Sequence, residues 1–294
     1  MNDTMGQAPP HHMGIVQVLR HCGPETFQDE YLLALYRSCR ALLICQAFCR
    51  QRRCLLIDDE AWKSVPWQRV PKTFEDRLMD FFVESAGIAE DVVVPENREA
   101  CRGRITTLSK ELERWRWDWH ATNWASVRKA PQESSEKGVD LEFDSPRLAL
   151  DILYYNAALL YLMQLETAAG GQMLPSSDEV YFGRRHMQAL ESRGNPLLLP
   201  DEVKFRCQPA IEALMTILCL NKLLAATPKN ETVVPPAPIG IVYWVLRDHQ
   251  HLGGRVASLL STHPIFDDGE RIFVGYFVSV AAPPVTTVGP ADVN

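Results

Sequence analysis

Catalytic signatures are what this chain most clearly lacks. It has no Gly-x-Gly-x-x-Gly, no Walker loop, no Gly-x-Ser-x-Gly elbow and no His-Glu-x-x-His. Those absences remove the usual nucleotide-binding, serine-hydrolase and zinc-protease readings. Positive charge is also in short supply: the net charge is −7. A dedicated nucleic-acid binder ordinarily shows a basic balance, so sequence-specific DNA binding by this chain alone is not expected. The opening MNDTMGQAPPHHMG has no basic region leading into an apolar core, so it does not read as a signal peptide. The longest apolar run, Leu148 to Leu165, is broken by Asp151, Asn156 and Gln164, and no membrane span is expected.

Metal sites are equally poorly supported. The chain has eight cysteines but no Cys-x2-Cys pair. Cys45 and Cys49 stand four apart on a helical pattern, with Cys39 and Cys54 flanking at unsuitable spacing, and core packing explains them better than a thiolate site. His11-His12 reads as a tail pair and His249/His251 as a helix end. Asp58-Asp59-Glu60 and Asp267-Asp268 are consecutive acids. On a helix these radiate instead of converging on one ion, so exposed acidic turns are the expectation. No cofactor, metal or catalytic residue is expected, and the thiols read as reduced and intracellular.

What is present is helical periodicity. From Glu25 to Ile57 no Gly or Pro interrupts the chain, and a helix from Glu25 to Arg53 is expected. Leu32, Tyr36, Cys39, Leu43 and Ala47 form its apolar stripe, which Leu35, Leu42 and Cys45 widen. Arg37, Arg40, Arg50, Arg52 and Arg53 fall on the polar face. Arg50, Arg52 and Arg53 make a short basic cluster, better read as a solvated helix terminus than as a phosphate or nuclear-import site. Trp62 and Trp67 follow on either side of Pro66, which biases Val65 to extended geometry. The two indoles are expected to fold back over the helix as a lid.

Thr73 to Ala86 reads as a helix stopped by Gly87, and Glu96 to Trp124 as another. In the second, Ile105, Leu108, Leu112, Trp115 and Trp119 form a helix-packing seam, while Lys110, Glu111, Glu113, Arg114 and Arg116 are placed on the solvated side. The cluster of Trp115, Trp117, Trp119 and Trp124 reads as core and not as a base-stacking platform. Ser145 and Pro146 open a central buried helix that Gly170-Gly171 ends. Its Tyr154, Tyr155 and Tyr161 read as core with satisfied hydroxyls, ahead of a small-molecule pocket. Asp201 to Ala226 is a further helix, with Pro209 kinking it or marking its first turn. Ile241 to Leu252, Gly254 to Leu260 and Arg271 to Val280 complete the helices. The fold class is therefore all-α, an irregular array of roughly eight helices around one core. Residues 15–280 form the domain, with loops at 125–144, 171–200 and 227–238. Residues 1–14 and 281–294 are expected to lack structure.

The order Gly23-Pro24-Glu25, the arginine-bearing helix and Trp62-Lys63-Ser64-Val65-Pro66-Trp67 resembles the helical regulatory region of fungal binuclear zinc-cluster transcription factors. Glu60-Ala61 stands where the familiar form has Pro-Glu before the first Trp. Glu111 to Trp115, Phe143 to Leu162 and the Pro-rich approach to Ile241–Leu246 extend the resemblance from about Gly14 to Val280. It implies a nuclear regulator, or a cytoplasmic one as the second choice, often controlling a secondary-metabolite gene cluster. The implied partners are other transcription regulators or co-regulators, a dimer mate and a small-molecule effector. The six-cysteine DNA-binding module of that family is absent from this chain, and the chain's start reads as the middle of a domain. Two other readings stand beside it: an interaction protein that lacks the DNA module and pairs with a full-length relative, and a helical biosynthetic enzyme with an unrecognised site.

Overall fold

The computed structural model describes residues 10–50, 52–129, 141–171 and 208–225, together with Pro238, Ile239, Ile241 and Val242. The described residues are mainly helical, and the all-α class holds. The elements in order are α1 (Pro10–Cys22), α2 (Glu30–Arg50), α3 (Leu55–Asp58), α4 (Ala61–Ser64), α5 (Phe74–Asp91), α6 (Arg98–Asn123), β1 (Val127–Lys129), β2 (Leu141–Phe143), α7 (Pro146–Ala168) and α8 (Gln208–Ala225). Helix α7 is the hub, packed against α5, α6 and α8, and α2 lies against α5. By length and composition α7 could also cross a membrane, contrary to the reading of its interrupted run. Most of it is buried inside the protein, as in a core helix.

Local chemistry sets the helix ends. Gly23 adopts φ 74°, closed by its N–H donating to the Leu19 carbonyl at 2.9 Å. The chain from Glu25 does not run straight into α2 as expected. Pro24–Gln28 forms a 3-10 turn in which Phe27 leaves helical geometry. Asp29 then starts a new helix, because its carboxylate accepts the Tyr31 N–H at 3.0 Å and the Leu32 N–H at 3.4 Å. Helix α1 begins at Pro10, inside the tract read as unstructured.

Thr73 caps α5 in a reciprocal box: its hydroxyl accepts the Asp76 N–H at 3.1 Å, and the Asp76 carboxylate accepts the Thr73 N–H at 2.9 Å. Gly87 does not stop this helix; it is buried within α5, which continues to Asp91. Ser145 has the extended geometry of an N-cap and Pro146 is the first helical residue of α7. That helix ends as expected. Gly170 takes φ 86°, its N–H donates to Thr167, and the Gly171 N–H reaches back to Glu166 at 2.8 Å. A Cβ on Gly171 would stand 2.7 Å from the Glu166 carbonyl oxygen, so only glycine fits there.

Within the expected loop 125–144, β1 and β2 pair antiparallel, with Val127 opposite Phe143 and both buried. The apolar ends of these short segments face the core, which holds the ribbon in place. Helix α8 begins at Gln208, so Pro209 lies in its first described turn. Residues 201–207, the loops at 172–200 and 227–237, the helices expected beyond Val242 and the tail 281–294 lie outside the described residues.

The indole lid is observed, by a different backbone route. Val65 is helical (φ −64°, ψ −44°), not extended, and Pro66 occupies the second position of a 3-10 turn, Val65–Trp67. A proline there gives up no needed hydrogen bond, and the docking of both indoles overrides the pre-proline preference. Trp62 and Trp67 are buried beside Tyr36 of α2, with ring centroids 5.6 and 5.9 Å from it, and Phe27 completes the cluster. The buried Tyr36 hydroxyl donates to the Trp62 backbone carbonyl at 2.8 Å. Truncating Trp67 should cost about 3–5 kcal/mol. Thermal unfolding of Trp67→Ala is therefore expected to show a melting temperature lower by roughly 10 °C; an unchanged value would mean that the lid does not hold α2.

Candidate functional site

Helix α2 presents two faces, and they differ from the expected ones. Leu33, Tyr36, Arg40, Leu43, Ile44 and Ala47 are buried. Leu32 and Cys39 are only partly so, and Leu35 and Leu42, read as part of the core, are 53% and 55% exposed. Arg40, read as polar surface, is 2% exposed. The buried face is rotated because Arg40 has partners on α5. It donates to the Asp76 carbonyl at 3.0 Å and pairs with the Asp80 carboxylate. Beside it Arg37 makes a forked pair with the Asp76 carboxylate, 2.7 Å at the closest. Burial pushes Asp76 up, but the bonds from Arg37 and Thr73 outweigh it and hold the carboxyl below its ordinary range.

These cations also lie against the lid. The guanidinium carbons of Arg37 and Arg40 stand 5.3 and 5.5 Å from the Trp67 ring centroid, and Lys72 Nζ stands 5.6 Å from it. The Trp67 indole N–H is buried with no acceptor among the described residues. Packing and cation–ring attraction, not hydrogen bonding, therefore retain it. Trp62, Pro66 and Trp67 are thus buried packing residues that hold α2 through Tyr36, with Trp67 also lying against Arg37, Arg40 and Lys72.

A second cluster lies at the centre of the array. Trp115 and Trp119 are buried and stacked, with centroids 6.3 Å apart. Trp115 also stacks on Tyr155, and its indole N–H donates to the Phe74 carbonyl at 2.9 Å. Trp117 is 44% exposed, and the Trp124 side chain lies outside the described ones. Arg116, placed on the solvated side from sequence, is fully buried. It pairs with Glu212 of α8 at 2.5 Å, and Asn156 of α7 donates to the other Glu212 oxygen at 2.9 Å. The partner lies 96 residues away, beyond any local pattern. The Arg116 guanidinium also lies 4.9 Å from the Tyr155 ring centroid. The expectation of satisfied tyrosine hydroxyls fails at Tyr155, whose hydroxyl has no partner among the described residues.

Asp151 is the one strongly perturbed carboxyl among the described residues of this region. Burial pushes its pKa up to about 6, against the opposing effect of the Trp119 indole N–H, which it accepts at 3.0 Å. Glu75 raises it further and Arg147 lowers it. No group of three His, Cys, Asp or Glu that could hold a metal occurs among the described residues.

The remaining candidates are dispersed. Arg52 is exposed just beyond the end of α2, and the Arg50 side chain lies outside those described. Arg53 pairs with Asp91 and, at 3.7 Å, with Glu90, both at the end of α5. The basic cluster therefore presents no converging set of guanidinium groups among the described side chains. Asp58, Asp59 and Glu60 form an exposed turn, with Asp59 accepting the Ala61 N–H and Glu60 pairing with Lys63. Asp267-Asp268, His249 and His251 lie outside the described residues.

What sequence reasoning misses is the outward face of α2. Tyr31 (81% exposed), Ala34, Leu35, Ser38, Ala41 and Leu42 lie along one exposed strip without a charged side chain. The signal is legible: α2 holds more apolar residues than one buried face can use. Comparison with protein-family models found no match, and no curated protein or solved structure matched this chain.

The Asp151 arrangement predicts a pH effect. Its pKa is raised by folding, so its contribution to stability is greatest below about pH 4 and is lost as pH rises through about 6, a loss of about 3 kcal/mol. Asp151→Asn keeps an acceptor for Trp119 and removes the ionisation. Chemical denaturation should show the variant gaining on the wild type between about pH 4 and 7. A stability difference that stays constant across that range would contradict the assignment.

Proposed function

We propose that this chain is a non-catalytic regulatory region of a nuclear transcription regulator, working through protein contacts. The target class that the resemblance implies is a secondary-metabolite gene cluster. The observation that carries the reading is the uncharged, exposed apolar face of α2, since outward leucines and a tyrosine suit partner binding and serve no purpose in the core. Supporting it, four charged side chains hold helices together: Arg37 and Arg40 clasp α5, and Arg116 and Glu212 join α6 to α8.

The engagement of Arg53 with Asp91 favours delivery to DNA by a partner over direct binding. Pairing with a full-length regulator is the second reading, for which Tyr31, Leu35 and Leu42 on the outward face of α2 offer the contact. Specific base recognition needs side chains presented to base edges and backed by several phosphate contacts. In a gel shift at physiological salt the chain alone is expected not to retard DNA sequence-selectively. Fused to a heterologous DNA-binding module, it should change transcription from the matching reporter, and Leu35→Lys should weaken that change. Selective retardation by the chain alone would sink partner-mediated action, and an inert fusion would sink the transcriptional reading.

A further inference from the structure

The Ser145-Pro146 step carries a second signal, separate from the partner-contact reading of α2. We infer that Ser145 is a phosphorylation site for a proline-directed protein kinase, and that its phosphoryl group, held by Arg147 and the first turn of α7, tightens the hub helix. Ser145-Pro146 is one of two Ser/Thr-Pro pairs in the chain; the other, Thr227-Pro228, lies outside the described residues. Proline-directed kinases take a serine or threonine whose following residue offers no backbone N–H, and proline alone meets that demand.

The backbone suits such an enzyme. Ser145 is extended (φ −151°, ψ 153°), the conformation in which a kinase groove takes its substrate strand. No residue from Asp144 to Arg147 is buried, and Asp144 and Arg147 are exposed. The hydroxyl is uncommitted: Ser145 makes no side-chain cap bond to α7, the bond a serine in that position ordinarily makes. The turn beside it opens easily. Pro146 has no N–H, the Arg147 and Leu148 N–H groups precede the first intrahelical bond, and the bond that closes the turn, from the Ala149 N–H to the Ser145 carbonyl, is long at 3.5 Å.

In the transfer, Ser145 Oγ attacks the γ-phosphorus of ATP. The bond from that phosphorus to the β–γ bridging oxygen breaks, ADP leaves, and the hydroxyl proton passes to the kinase's carboxylate base. The product carries a charge of about −1.5 to −2 on its acceptor oxygens. Arg147 supplies a guanidinium two residues on; it is exposed and enters no ion pair among the described residues. The Arg147 and Leu148 N–H groups and the dipole of a 23-residue helix act in the same sense. Glu142 and Asp144 oppose the phosphate, but both are exposed and screened by solvent. Because α7 packs against α5, α6 and α8, a firmer first turn steadies the array.

The test incubates the folded full chain with magnesium, ATP and purified kinases of the mitogen-activated and cyclin-dependent classes, in separate reactions, and maps the phosphopeptides by mass spectrometry. Ser145 should gain a phosphoryl group, and Pro146→Ala should slow that modification by about tenfold or more. A chain with phosphoserine genetically encoded at position 145 should melt roughly 2–4 °C above the wild type. Arg147→Gln should remove much of that gain, and Ser145→Ala should melt as the wild type does. A folded chain left unmodified at Ser145 by both kinase classes, or modified there only after denaturation, overturns the site. A phosphoserine chain that melts at or below the wild type, or whose gain survives Arg147→Gln in full, overturns the hold on α7.

Discussion

The buried Arg116–Glu212 pair is the constraint on which the helical array depends. Both side chains are almost wholly removed from water, and they join helices far apart in the sequence. Taking two charges out of water costs several kcal/mol each, and their attraction recovers this only with good geometry and further hydrogen bonds. Asn156 supplies one such bond to Glu212, and the same Asn156 amide donates to the Ile152 carbonyl of its own helix. Thr216 bonds the Glu212 backbone carbonyl one turn away. The consequence is positional. Sliding α6, α7 or α8 along its neighbour would strand a buried charge, whereas sliding an all-apolar interface would cost far less.

The aromatic layer around the pair follows the same logic. Trp119 and Tyr155 lie against the guanidinium, Trp115 stacks on both, and each indole N–H has an acceptor, Asp151 for Trp119 and Phe74 for Trp115. Helix α5 carries this order outward. Its Asp76 caps its own first turn and receives Arg37, while Asp80 takes Arg40 and Lys72. That double engagement fixes the rotation of α2. With Leu33, Tyr36, Arg40 and Leu43 turned inward, Leu35 and Leu42 have to point outward. The exposed face is thus a consequence of how charge is placed in the interior.

Legibility in the sequence tracks the range of the interaction. The start of α7 at Ser145-Pro146 and its end at Gly170-Gly171 are readable, because caps depend on a few consecutive residues. The Trp115/Trp119 seam and the clasp of Trp62 and Trp67 are readable from spacing and bulk. Arg40 and Arg116 are misplaced on the surface because a charged side chain is normally solvated, and nothing local reveals an acidic partner 40 or 96 residues away. The face of α2 is misassigned for the same reason: excluding Arg40 from the core rotates the stripe toward Leu35 and Leu42. Gly87 misleads because a glycine near the end of a helical pattern can cap it, and here it is buried within a helix that continues to Asp91. Val65 departs from the local backbone rule because two docked indoles decide its geometry.

Arg116 and Glu212, buried and paired, hold the fold. A double-mutant cycle on Arg116→Met and Glu212→Met measures this most directly by equilibrium unfolding. Each single variant strands the other charge and should lose about 3–5 kcal/mol, while the double variant should lie close to the wild type, giving strong coupling. Small single losses that simply add would contradict the account, and would mean that the buried charges are kept for a ligand or a reaction and not for the fold.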